Sequence, residues 1–89
     1  MRVHDAEIVA RLKRIEGQVC GIRKMHEDGR YCIDILDQLS AARAGLDATA
    51  LLLLEDHVAS CVRGAMDGGE GETKAAEMLA AVQRFVRSV

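Results

Sequence analysis

Apolar residues recur at helical spacing along almost the whole chain, in three blocks with different partners at the polar positions. In the first block Ile8, Leu12, Ile15, Val19 and Ile22 step by four, three, four and three residues, the signature of one helix face. Asp28 followed by Gly29 reads as the stop of this helix. The second block keeps the same rhythm through Cys32, Leu36, Leu39, Arg43, Leu46, Ala50, Leu53 and His57, with Cys61 one turn further on. It predicts an uninterrupted helix of about 35 residues, roughly 50 Å long at 1.5 Å per residue. Asp67, Gly68, Gly69, Glu70 and Gly71 form a loop signal. Beyond it Met78 or Leu79, Val82, Phe85 or Val86, and Val89 repeat at helical spacing and are expected to cover the core. The pattern therefore predicts an all-α chain of three helices, a single domain over residues 1–89.

Composition sharpens this picture in two respects. The 89 residues approach the size at which one core becomes marginal and oligomerisation often helps. Hydrophobic residues make up 49% of the chain, yet there is one Tyr, one Phe and no Pro, so packing is expected to be aliphatic and helical. No apolar run approaches the roughly 20 residues needed to span a bilayer. The first thirty residues are charged throughout and do not read as an export signal, so the three cysteines are expected in a reducing cytoplasm, free for metal or redox chemistry.

Charge is unevenly distributed. The formal net charge is −2, but residues 1–30 carry seven Lys or Arg against five acids and residues 31–72 carry two against eight. The basic first segment suits a nucleic-acid partner; a solvated amphipathic face would look similar. Within it Arg11, Arg14 and Gln18 form a stripe beside the apolar seam, and Lys13, Arg23 and Lys24 add positive charge outside it. Gly17 and Gly21 are expected to permit close helix contact. The glycine cluster at 68–71 lacks the Gly-Lys-Ser/Thr ending of a phosphate-binding loop and the ligand spacing of an EF-hand, and so reads as a connection.

The chemistry-bearing residues lie on the second helix. In the stretch HVASC, His57 and Cys61 are one turn apart and can reach one atom over a common face, which is half of a soft-metal site. The alternative is a buried face that happens to carry a histidine and a small thiol. Cys32 shares the stripe, but 25 residues of helix separate it from His57 by about 37 Å, so one helix cannot close a site from both ends. Two such helices paired antiparallel can. With the crossing at the midpoint, Gly45 and Leu46, each Cys32 meets the other chain's His57 and Cys61, Gly45 lets the backbones come close, and a twofold axis generates two identical sulfur, nitrogen, sulfur sites. Two thiolates and one imidazole suit Cu(I) best, because structural zinc takes a fourth ligand and Ni(II) or Co(II) recruits more nitrogen. An ordinary coiled-coil dimer with two incidental cysteines remains the competing reading.

The string RLKRIEGQVCGI at 11–22, YC at 31–32 and HVASC at 57–61 together resemble the copper-sensing repressor (CsoR) family of bacterial transcriptional regulators, over nearly the whole chain. YC followed by H-x-x-x-C at this spacing resembles its Cu(I)-responsive branch. The resemblance implies a three-helix protomer, an antiparallel four-helix-bundle dimer, and a dimer of dimers that binds operator DNA without a helix-turn-helix, in the cytoplasm. It implies Cys32 from one protomer with His57 and Cys61 from its partner as ligands, with Tyr31 and Glu77 supporting them and Glu77 approaching the imidazole from helix 3. The family's basic residues on helix 1 correspond to Arg11, Lys13 and Arg14, with Arg43 on helix 2 as an addition. The implied function is a repressor whose apo form binds its operator and whose Cu(I) form lets go of it, derepressing copper-resistance genes.

Some positions depart from the family or its branches. Cys20 stands where many relatives have Arg and is read as a bystander thiol. Nickel and cobalt sensors use a histidine close to the N-terminus, but His4 lies about four residues too far inward, and no ligand role is assigned to His4 or His26. Formaldehyde sensors rely on an N-terminal proline, which this chain lacks. Persulfide sensors need only the two cysteines, so that reading stands as an alternative, against which His57 speaks. A cytosolic copper carrier is a second alternative and would not require the basic stripe. An enzyme is not expected: a His57/Cys61 nucleophilic dyad has neither an orienting third group nor an oxyanion hole.

Overall fold

The computed structural model describes residues 3–66 and 71–87, with some side chains around the end of the second helix and the start of the third left outside that description. It contains three helices and, among the described residues, no strand: α1 Asp5–Glu27, α2 Cys32–Met66 and α3 Gly71–Arg87. The expected second helix of about 35 residues is present at 35. The glycine-rich connection at 67–70, and Val89 at the end of the third apolar block, lie outside the described residues.

Helix α1 begins after His4, whose carbonyl accepts the Ile8 N–H at 2.8 Å. Asp5 and Glu7 lie in its first turn and Lys24 and His26 in its last, the charge order that the helix dipole favours. It ends as Gly29 predicts. That glycine takes φ +70, its N–H bonds the His26 carbonyl at 3.1 Å, and the Arg30 N–H reaches back to the Met25 carbonyl at 2.9 Å. This left-handed cap satisfies carbonyls that would otherwise be orphaned at the helix end. Two residues later α2 starts, with the Tyr31 carbonyl receiving the Ile35 N–H at 3.2 Å.

The described chain falls into two compact units, His4–Leu53 and Leu54–Val89 with Met1–Val3. In the first, α1 packs on the N-terminal part of α2 through a narrow contact. Ile8 and Ile15 of α1 are each 7% exposed, and opposite them α2 buries Ala42 and Thr49. Gly45 lies between those two, and a Cβ built on it would stand 3.4 Å from Ile15 Cγ1. The Thr49 hydroxyl, buried in this contact, donates to the Gly45 carbonyl at 2.8 Å and so leaves no unpaired polar atom. Ala42, Gly45 and Thr49 step by three and four, so α2 turns a stripe of small residues toward α1.

The protomer bears on three sequence expectations. Gly45 does allow a close approach, and within the protomer the side chain that uses the space is Ile15 of α1. A Cβ on Gly17 or Gly21 would meet nothing within 4 Å, so no helix of the described chain lies over either glycine. The α1 seam is not one face. Ile8 and Ile15 point inward with Ile22 and Met25 partly covered, whereas Leu12 and Val19 are exposed. Arg11 and Gln18 fill the inward positions between the isoleucines, partly covered, because long polar side chains can lay aliphatic stems over a small-residue stripe.

In the second unit Asp56 is buried and holds a partner, while on α3 Met78 and Val82 are partly covered. Leu79, Phe85 and Val86 are exposed, which settles the two alternatives at 78/79 in favour of Met78 and leaves both residues of the 85/86 pair outside the protomer's covered set.

Two glycines give opposite expectations. Gly29→Ala is expected to destabilise by about 1–2 kcal/mol, because φ +70 is a left-handed conformation that a Cβ disfavours. Gly45→Ala is expected to be neutral or stabilising by up to about 1 kcal/mol, since its methyl makes ordinary contact with Ile15 and alanine is the better helix former. Thermal unfolding of both variants at matched protein concentration checks the two signs.

Candidate functional site

The leucine stripe on α2 that the sequence marks as a seam faces outward in the protomer. Leu36, Leu39, Leu46 and Leu53 are all exposed, between 43% and 51%, and so are Cys32, Arg43 and His57. The stripe thus lies apart from the Ala42, Gly45, Thr49 stripe that meets α1. Cys32 is the first residue of α2 and its thiol is free and exposed. Tyr31, immediately before it, is 68% exposed. His57 and Cys61 lie on the same uninterrupted helix at the one-turn spacing that a shared ligand needs. The Cys61 side chain lies outside the described residues. Glu77 is exposed on α3.

Among the described residues no group of three or more His, Cys, Asp or Glu side chains is gathered around one point. The donors present are nevertheless of the right chemical kind for a soft ion. Two thiols and an imidazole need no acid–base partner from the core, and the two whose side chains are described are accessible from outside the protomer. Cys20, in contrast, belongs to no such set of donors among the described residues. It is exposed on α1 with an Arg23 guanidinium N–H 3.7 Å from its sulfur.

The basic residues of α1 are not equivalent. Arg11 donates through Nε and Nη2 to Glu7 Oε2 at 3.1 and 3.0 Å, and Arg23 pairs with Glu27 at 2.9 Å. Both are exposed i, i+4 pairs with modest energies. Arg14 has no carboxylate partner among the described residues, and Lys13 is exposed beside it. Arg11, Arg14, Ile15, Gln18 and Gly45 surround a shallow hollow of about 120 Å³ on the α1/α2 contact. Sequence reasoning had placed Arg11, Arg14 and Gln18 on a stripe. It missed Glu7 as the partner of Arg11, although the acid-first i, i+4 spacing was there to read. The hollow was out of its reach, because Gly45 belongs to the other helix. Arg43 lies outside this group, exposed on α2.

The described helices include none long and apolar enough to cross a membrane. Among characterised proteins, the chain is 50% identical over 82 residues to the copper-sensing transcriptional repressor CsoR of Bacillus subtilis, an alignment covering 92% of this chain and 81% of that one. Its fold superposes on the copper-sensing repressor CsoR with Cu(I) from Geobacillus thermodenitrificans with a TM-score of 0.86 at 45% identity, covering 97% of this chain and 90% of that one. The nickel-responsive transcriptional regulator InrS is also similar, with a TM-score of 0.81, 36% identity and 96% of each chain covered. Residues 4–84 match the family described as metal-sensitive transcriptional repressor. Three helices, donors at both ends of α2 and a basic α1 accord with that match, and the chain belongs to the metal-sensitive transcriptional repressor family.

Proposed function

We propose that this protein is a cytoplasmic Cu(I)-responsive transcriptional repressor: its apo form binds operator DNA, and its copper form does not, so that copper-resistance genes are derepressed. The observation that carries the reading is the donor set on α2, Cys32 at its first residue and His57 with Cys61 one turn apart near its other end. Relatives named as copper-sensing support it, at up to 50% identity. The nickel-responsive relative shows that the fold serves more than one metal, so the choice among metals rests on these donors. Two thiolates and one imidazole favour a soft, low-coordinate ion over nickel or zinc.

The ligands belong to two chains. The exposed leucines of α2 are the surface that a second copy covers, antiparallel, so that Cys32 of one protomer joins His57 and Cys61 of its partner. A dimer of such dimers makes the tetramer. The place of Gly45 opposite Ile15 leaves this pairing intact, since the leucine stripe and the small-residue stripe occupy different faces of α2 in the first unit. Bound Cu(I) supplies a crosslink between the two α2 helices. Tyr31 and Glu77 support the ligands, and Glu77 holds the second imidazole nitrogen of His57, which fixes the tautomer that can ligate. Arg11, Lys13 and Arg14, with Arg43, contact DNA phosphates in the apo form. The function needs a shift between two bundle geometries and no catalysed reaction.

The protein is expected to take up one equivalent of Cu(I) per protomer. Cys32→Ala or Cys61→Ala abolishes tight binding and His57→Ala weakens it less, because both thiolates survive. A Cys32→Ala protomer paired with a Cys61→Ala protomer retains one complete site, so dimers isolated through two different tags bind about half the normal copper. If they bind none, the ligands do not cross between chains.

Operator affinity provides the second check. Saturating Cu(I) is expected to weaken it by a coupling of about 1–3 kcal/mol, and DNA must weaken copper binding by the same factor. Glu77→Ala binds copper nearly as well as wild type yet releases DNA poorly. Equal operator affinity of the wild type with and without Cu(I) leaves a copper carrier or a persulfide sensor. Loss of binding on persulfide treatment and not on Cu(I) selects the latter.

A further inference from the structure

The hollow over Gly45 is not accounted for by the copper donors or by the leucine stripe. Its floor is Ile15 and Gly45 and its rim is Arg11, Arg14 and Gln18. We infer that it seats one backbone phosphate of the operator, held by the two guanidinium groups and the Gln18 carboxamide, with Glu7 acting as the residue that positions Arg11. This rests on the DNA-binding reading above and extends it from a basic surface to a built seat with two further participants, Gln18 and Gly45.

The lining carries no acidic side chain, so an anion entering it meets donors. Arg11 spends one edge of its guanidinium, Nε and Nη2, on Glu7, and this leaves the Nη1/Nη2 edge available for a bidentate contact. Glu7 thereby fixes the direction of that edge before DNA arrives. Arg14 has no carboxylate partner among the described residues to give up. The Gln18 Oε1 lies 4.0 Å from where a Cβ on Gly45 would stand, so its carboxamide reaches over the glycine, and a half-turn of the amide presents two N–H donors to the same space. The Gly45 carbonyl, an acceptor that would repel an anion, is engaged by the Thr49 hydroxyl. A glycine is thus the residue that leaves this floor unfilled, although an alanine would pack acceptably against Ile15.

The test measures binding of the apo protein to a short fluorescein-labelled duplex, carrying the sequence that the wild type selects from a random pool, across a range of salt concentrations. Gln18→Leu is expected to weaken binding about tenfold, the size of one hydrogen bond to a charged group, with the salt dependence unchanged because no charge is lost. Gln18→Glu, isosteric with the native side chain, places a carboxylate between the two arginines. It is expected to bind more weakly still and with a salt dependence shallower by about one phosphate. Both variants keep wild-type helicity and Cu(I) stoichiometry. A scan of single methylphosphonate linkages should find one position per binding unit whose neutralisation costs the wild type much and Gln18→Glu little, because the carboxylate has already cancelled the attraction of the seat for a charged phosphate. If both Gln18 variants bind like wild type while Arg14→Ala weakens binding, the hollow is not a phosphate seat, although α1 still contacts DNA. Wild-type binding by Arg14→Ala as well would remove the DNA-binding role of this face and the seat with it.

Discussion

The structure depends on how closely α1 can lie on α2. Ile15 reaches the backbone of Gly45 because the facing stripe of α2 is built from the small residues Ala42, Gly45 and Thr49; a methyl at Gly45 would still make ordinary contact with Ile15, whereas a bulky side chain there would push the helices apart. The contact is narrow. Covering Ile8 and Ile15 contributes about 3–6 kcal/mol, small beside roughly 1–2 kcal/mol of backbone entropy for every residue that is ordered. A protomer with so narrow a core gains from a partner, and the exposed leucines of α2 form an uncovered aliphatic stripe that can receive one.

That one constraint assigns the rest of α2. Once the small residues face α1, the leucines must face outward, since the two stripes are interleaved on one helix. Cys32 and His57 are exposed as well, which the proposed ligation between chains requires. In the proposed dimer, joined through this stripe, copper binding and subunit packing are the same event. The proposed ligands all lie on α2, and α2 is also the floor against which α1 presents Arg11, Arg14 and Gln18.

The basic face is shaped more finely than its charge suggests. Of the arginines on α1, Arg11 and Arg23 are tied to glutamates four residues away, while Arg14 has no carboxylate partner among the described residues. Exposed pairs of this kind add little to stability. Their larger consequence is orientation: an arginine held along one edge offers the other in a defined direction.

Much of this was legible in the sequence. The three helices followed from apolar spacing, the end of α1 from Gly29, and the length of α2 from an uninterrupted rhythm of side chains, because each of these depends on residues within one or two turns of one another. The proposed donor set rests on the same kind of local spacing, since His57 and Cys61 are one turn apart and Cys32 shares their stripe. What spacing could not decide was which of two possible stripes on α2 met α1, or which half of the α1 seam turned inward. A leucine stripe and a small-residue stripe both fit a helix of 3.6 residues per turn, and hydrophobicity favours burying the leucines. Tertiary packing decided for the small residues, because Ile15 approaches α2 more closely than a bulky side chain at position 45 would allow. The same contact gathered Arg11, Arg14, Gln18 and Gly45 around one hollow, a grouping of residues from two helices that no local pattern encodes.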